Sequence, residues 1–372
     1  MQIDVTDPVF ETQVFVALFF LALCFSLRKS VKKTFFDLHV TNELKGFAIL
    51  AVIFGHLGYI VSRNHEFMWP LSADAGVGVN IFLFLSGFGL CMATRKGEKI
   101  GAFYTKRLKK LFIPMWLTLL IFFGLDFFVK HLSFSPRYIL ESFLGIFRTA
   151  DPWNDINSPL WYFTIILFYY LIFPLKSWIK NHYLLSLAIF VIGLVTAYSN
   201  LPIKDDLHKI YKMHVLAFPL GILFFALLQE KLVVQFISKL SEAKLLIYRY
   251  DIARLVCLLF LIFLVTHFSV YSAVGEGIWP EQTMSMFIVI LVTAVFMLKN
   301  FQIKLLEVIG KYSYEIYLLH WPIVFRYDYI FHYLPAGIAT FIFLTVLLIL
   351  AFVLQKVTNL NLRNSSKDKR SI

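Results

Sequence analysis

The sequence predicts an all-α protein, a polytopic bundle of about eleven transmembrane helices with ten as the other count. Three observations predict it. Hydrophobic residues make up 59% of the chain and charged residues 16%, proportions outside the range of soluble globular domains. Apolar runs of spanning length, roughly 17–25 residues, recur from one end to the other. The basic residues fall between those runs on alternate sides.

In order, the runs lie at about 9–27, 45–62, 77–94, 111–129, 159–179, 183–199, 213–229, 253–271, 283–299, 312–331 and 336–356. The first is the weakest, because it carries Glu11 near its start. Asp4, Asp7 and Glu11 precede or open that run where a secretory signal would be basic, so the sequence reads as having no cleaved signal peptide. No run of soluble composition separates the spans, so residues 1–358 read as one membrane domain. Residues 359–372 read as a basic cytoplasmic tail, disordered or lying on the anionic leaflet.

Charge sets the orientation. Of the 35 Lys and Arg residues, 26 fall in one set of alternate connections and 8 in the other, with Lys45 at a helix start. The positive-inside rule then puts the N-terminus outside and the C-terminus in the cytoplasm. The same distribution accounts for the net charge of +12 without nucleic acid. Cys24, Cys91 and Cys257 sit inside apolar runs with no metal-ligand spacing, and read as small buried hydrophobes.

The chemistry centres on Asn42–His56, N-E-L-K-G-F-A-I-L-A-V-I-F-G-H. Lys45 and His56 are eleven residues apart, about 20° past a common azimuth after three turns and roughly 16 Å along the axis. With Lys45 at the cytoplasmic surface, His56 lies near or beyond mid-membrane, where a polar side chain is costly and marks a functional candidate. The spacing suits a donor with an anionic head and a long arm, which coenzyme A has. The alternative is a snorkelling lysine and a histidine hydrogen-bonded between helices.

Three further stretches carry candidates. Gly76–Leu90 places Asn80, an amide that wants a partner, in a span otherwise rich in small packing residues. Phe103–Trp116 is basic and aromatic, and its Lys106, Arg107 and Lys110 form a candidate phosphate clamp on the side of Lys45; Arg107 leads because a guanidinium binds phosphate bidentately. Ile309–Ile323 carries a second intramembrane histidine, His320, on one stripe with Ser313 and Tyr317. On the outer side, Thr149–Trp161 combines carboxylates and amides with Trp153 and Trp161, the composition of a sugar-binding surface or of an interfacial aromatic belt. Two histidines without close-spaced partners do not make a metal site.

These stretches, in this order, resemble the acyltransferase-3 family of integral-membrane O-acyltransferases. Asn42–Gly46 followed by His56 resembles its D-G-L-R-G-x-A and histidine; Val79–Phe88 resembles V-D-x-F-F-x-x-S-G-F; Lys106–Pro114 resembles its basic segment ending in proline. Trp161 with Tyr169, Tyr170 and Pro174 resembles a Trp followed by F-Y-x-x-x-P, and Gly310–Pro322 resembles G-x-x-S-Y-x-I-Y-L-x-H-x-P. The chain departs from the pattern where Lys45 replaces Arg, where Asn42 and Asn80 replace acidic residues, and at Ile166 and Leu167, which stand where carboxylates often follow the Trp.

The resemblance implies a stand-alone enzyme of the bacterial inner membrane. It would move an acetyl group from acetyl-CoA to a hydroxyl of a surface polysaccharide or its lipid-linked precursor, with no metal. His56 would act as general base or transient acyl carrier, Lys45 with the Arg107 cluster would hold the CoA phosphates, and His320 and Tyr317 would assist. The partners expected are acyl-CoA, the glycan and membrane lipids. The rival reading is a transporter or flippase using the same polar residues, which would require paired intramembrane charges; Asp126, His214, His267 and Glu315 read as scattered.

Overall fold

The computed structural model describes residues 2–29, 36–95, 100–233, 235, 247–272 and 278–367, and fourteen α-helices run through them. The first half contains α1 (Pro8–Phe25), α2 (Leu38–His56), α3 (Ala75–Arg95), α4 (Ile100–Val129), α5 (Pro136–Leu144), α6 (Trp161–Ile172) and α7 (His182–Ala197). The second contains α8 (Asp205–Met213), α9 (Ala217–Leu227), α10 (Ile247–Ser269), α11 (Ile278–Leu298), α12 (Lys304–Lys311), α13 (Ser313–Trp321) and α14 (Ala336–Lys367). Two three-residue strands, β1 (Leu27–Lys29) and β2 (Phe301–Ile303), pair antiparallel with Leu27 opposite Ile303.

Nine helical stretches among the described residues are long and apolar enough to cross a membrane, and the shorter apolar α7 is a tenth. Large apolar side chains such as Phe20, Phe128, Leu171, Phe260 and Ile349 point outward. Asn80, Asp126, His214 and His320 are buried. A bundle with apolar groups outside and polar groups inside is suited to lipid.

The expected run 312–331 differs from a single helix. α12 ends at Lys311, α13 spans nine residues, and a π-helical turn at Pro322–Arg326 follows. Pro322 cannot donate to the preceding turn, and Gly310 at the end of α12 is pressed against the backbone carbonyl of Asn42. α4 starts at Ile100, so Pro114 is inside the helix and not in its first turn. α14 continues to Lys367, so residues 359–367 are helical and not disordered, while 368–372 lie outside the described residues. Cys24 and Cys257 are exposed on helix faces and only Cys91 is buried, because the apolar runs that hold the first two face outward.

α2 is the centre of the packing. Asp37 caps it, its Oδ1 accepting from the backbone N–H groups of His39 and Val40 at 3.0 and 3.1 Å, two of the donors a helix start leaves open. Small residues let its neighbours approach closely: Gly46 lies against Leu306 of α12, and Gly78 of α3 against Ala48. α3 meets α9 in the same way, Gly87 against Phe218 and Gly221 against Phe84. Such approaches are how helices associate where lipid removes the hydrophobic drive.

Two groups of long-range polar contacts mark the two ends. At one, β1 pairs with β2, Lys299 Nζ lies 2.5 Å from Glu43 Oε1, His39 Nδ1 is 2.9 Å from Glu307 Oε1, and Arg95 donates to Gln229 at 2.6 Å. At the other, Arg63 pairs with Asp4 at 3.0 Å, the backbone N–H of Gly337 donates to Glu11 at 2.7 Å, and Arg326 donates to the Asp155 carbonyl at 3.0 Å. Each contact joins connections that the basic-residue count places on one side.

Candidate active site

His56 closes α2 and is followed at once by a π-helical turn, Leu57–Val61. His320 sits two residues before the π-helical turn that begins at Pro322. Such turns recur at functional sites because they re-aim side chains that a regular helix would stagger. The two rings come together nearly parallel, with His56 Nδ1 2.9 Å from His320 Nε2.

The bonds settle the tautomers. His320 Nδ1 lies 2.7 Å from the Tyr317 backbone carbonyl, which can only accept, so that nitrogen carries the proton and Nε2 bears the lone pair. His56 Nδ1 must then donate to it. The remaining nitrogen, His56 Nε2, is left unprotonated, and no hydrogen bond to it forms among the described residues. A neutral imidazole held this way has its basic nitrogen available, and a proton gained there is stabilised through the bond to His320.

Around the pair the walls are aromatic. Trp321, fully buried, meets His56 edge-on at 5.1 Å. Trp321 stacks on Phe325 at 4.7 Å, and Phe325 meets Trp153 at 4.9 Å. Trp153 is 56% exposed, so an unbroken run of rings leads from the surface to His56. The Asn157 side-chain nitrogen donates to the Leu318 carbonyl at 2.9 Å, and the Tyr317 hydroxyl donates to the Pro159 carbonyl at 2.7 Å. Both tie the 149–160 loop to α13.

That loop is anchored at a buried ion pair between Arg326 and Asp126, where Tyr327 also donates to Asp126 at 2.7 Å. Arg326 reaches on to the Asp155 carbonyl. Burial pushes the Asp155 carboxyl up from its ordinary value, against hydrogen bonds from the Thr149 hydroxyl and the Asp151 N–H.

Toward the basic end, Lys45 is half-buried and close enough to Arg107 for the two charges to repel. Arg107 turns inward and donates to the Tyr170 hydroxyl at 3.2 Å, while Lys106 and Lys110 are exposed.

A protein-family model described as an acyltransferase domain matches residues 42–355. The chain belongs to the acyltransferase-3 family. No curated protein and no solved structure matches it. Membership makes it an integral-membrane acyltransferase, an enzyme that takes an acyl group from a donor to an acceptor.

Of the residues the family resemblance singled out, His56 with His320, and Lys45 with Arg107, stand together in this acyltransferase. Tyr317 reaches His320 through its backbone carbonyl and not through its hydroxyl. Asn80 bonds to neither histidine: its amide donates to Ser285 at 2.7 Å and its carbonyl oxygen lies 2.8 Å from His214 Nδ1. Trp161 stacks on that same His214 at 5.5 Å, so Asn80 and Trp161 belong to a second polar cluster. Asp126 and His214, which read as scattered, are both partnered. The signal for His214 was the one that marked His56, a histidine within an apolar run. Among the described residues no group of three or more His, Cys, Asp or Glu side chains could hold a metal ion.

Proposed function

We propose that the enzyme transfers an acetyl group from cytoplasmic acetyl-CoA to a hydroxyl of a cell-surface polysaccharide or its lipid-linked precursor, in the bacterial inner membrane with the basic end in the cytoplasm. The observation that carries the reading is the His56–His320 bond with the free nitrogen it leaves on His56. Lys45 and Arg107, with Lys106 and Lys110 at the surface, receive the CoA phosphates. The pantetheine arm runs along α2, whose axis between Lys45 and His56 is roughly 16 Å long.

In the transfer, His56 Nε2 removes the proton of the acceptor hydroxyl as its oxygen attacks the thioester carbonyl. The carbon–sulfur bond breaks, and the departing thiolate takes the proton from the His56 imidazolium. The products are the O-acetyl ester and free CoA. His320 accepts from His56 Nδ1 throughout, so the charge on His56 in the transition state is met by an oriented dipole. Trp153 and the 149–160 loop offer a stacking face and hydrogen-bonding groups to the acceptor on the outer side.

The test is transfer of labelled acetyl from acetyl-CoA to alkali-treated surface polysaccharide, from which ester groups have been removed. Transfer by the wild-type protein that Lys45→Ala weakens through KM for acetyl-CoA supports the reading. CoA binding without transfer to any glycan would remove the acceptor assignment.

A further inference from the structure

At the end opposite the basic one, the chain beyond His56 builds a cavity of about 820 Å³ lined by Asp4, Arg63, Asn64, Glu66 and Trp69 among others. Its size is within the range of small-molecule sites. The rim is constructed. Ile3 and Val61 bond through their backbones at 2.9 Å, the Arg63 N–H donates to the Ile3 carbonyl at 3.1 Å, and the Met68 N–H donates to the buried Thr12 hydroxyl at 2.9 Å. Phe67 and Met68 point into the core, which leaves Trp69 and the charged residues facing out.

The lining has a definite chemistry. Arg63 is occupied with Asp4, each of them largely exposed, while among the described residues the Glu66 carboxylate forms no ion pair or hydrogen bond. A net negative lining with one guanidinium disfavours a phosphate or other anion. An exposed indole, 42% accessible, beside carboxylate and amide oxygens offers a flat apolar face and acceptors for hydroxyl groups. That pairing suits a neutral sugar ring, which has one apolar face and hydroxyls around its edge.

We propose that this cavity is a docking subsite for a neutral sugar residue of the acceptor, remote from the hydroxyl that reacts. The proposal rests on the acyl-transfer reading above and adds a place and a sugar class to it. From His56 to Arg63 the chain advances roughly 10 Å, short enough for one oligosaccharide to touch both. Trp69 supplies the stacking face, Glu66 and Asn64 accept and donate hydrogen bonds to the ring hydroxyls, and the Asp4–Arg63 pair fixes the wall behind them.

The experiment uses the full-length protein in lipid nanodiscs with labelled acetyl-CoA and alkali-treated surface polysaccharide of the producing cells. Trp69→Ala and Glu66→Gln are each expected to raise KM for the polysaccharide about tenfold, with kcat and KM for acetyl-CoA within twofold of wild type. Trp69→Phe, which keeps a stacking ring, is expected to restore most of the affinity. Unchanged KM in both variants, with transfer proceeding, would overturn the subsite alone. Wild-type protein that neither binds nor acetylates the polysaccharide would overturn the subsite together with the acceptor reading beneath it.

Discussion

His56 Nδ1 and His320 Nε2 are 2.9 Å apart although 264 residues separate them in the chain. Each ring fixes the other's proton. The Tyr317 carbonyl holds the proton on His320 Nδ1, His320 Nε2 accepts from His56, and His56 is left with one basic nitrogen.

Removing His320 therefore takes away orientation and charge stabilisation but leaves the base itself. His320→Ala is expected to lower kcat about 100-fold, the lower part of the range for a misplaced acid–base group, with KM for acetyl-CoA unchanged. Steady-state kinetics on purified protein checks it. A variant with wild-type kcat would show that the pair has no part in turnover. Tyr317→Phe loses only the bond to Pro159 and keeps the carbonyl, so it is expected to cost far less than His320→Ala.

Lys45 and Arg107 are held close against their mutual repulsion. Lys45→Ala and Arg107→Ala are each expected to weaken acetyl-CoA binding about tenfold, on the scale of one charge-assisted hydrogen bond. Lys45→Ala is expected to stabilise the free protein slightly. Binding titrations and melting curves on the same preparations separate the two effects, and a fall in both affinity and melting temperature would point to structure instead.

Much of this was legible beforehand. The spans and the isolated intramembrane His320 follow from local spacing, since helix periodicity is a short-range property. Which partner a buried group finds is not. Asn80 reads as a span amide in need of a bond, and nothing near it in sequence names His214 or Ser285. Asp126 and Arg326 are 200 residues apart, and neither shows the other by spacing. The close approach of Gly310 to the backbone of Asn42 is likewise a tertiary fact that spacing does not show. Tyr317 shares its stripe with His320 as expected, but its hydroxyl turns to Pro159 because that carbonyl lies on another element.

Glu43 is buried and bonds to both Lys299 Nζ and the Ile303 N–H, the latter at 2.6 Å. It joins α2 to the strand that leads into α12. Lys299→Met would leave that carboxylate buried and unpaired, at a cost of about 3–5 kcal/mol. The double variant Glu43→Gln with Lys299→Met is expected to recover much of the loss, as read by thermal unfolding in detergent. Additive losses in the double variant would mean that the two groups do not act as a pair.

Glu307 holds the same end together through Lys304 and His39. Burial acts to raise its carboxyl, but the hydrogen bonds from those two residues outweigh burial and hold it below its ordinary value. A carboxyl lowered by folding contributes stability that is present above the unfolded value, near about 4.3, and is lost as pH falls through the folded one. Melting temperature is therefore expected to drop as pH is lowered below about 5. Glu307→Gln should be less stable at neutral pH and show a shallower drop, and an unchanged slope would assign the acid sensitivity to other carboxylates.

The central claim is that His56 is the base that activates the acceptor. The most direct measurement is transfer of labelled acetyl from acetyl-CoA to surface glycan in membranes containing wild-type protein or His56→Ala, with acetyl-CoA binding followed in parallel. O-acetyl label is expected in the glycan with wild type and none above background with the variant, which still binds acetyl-CoA. Label at wild-type levels with His56→Ala would contradict it.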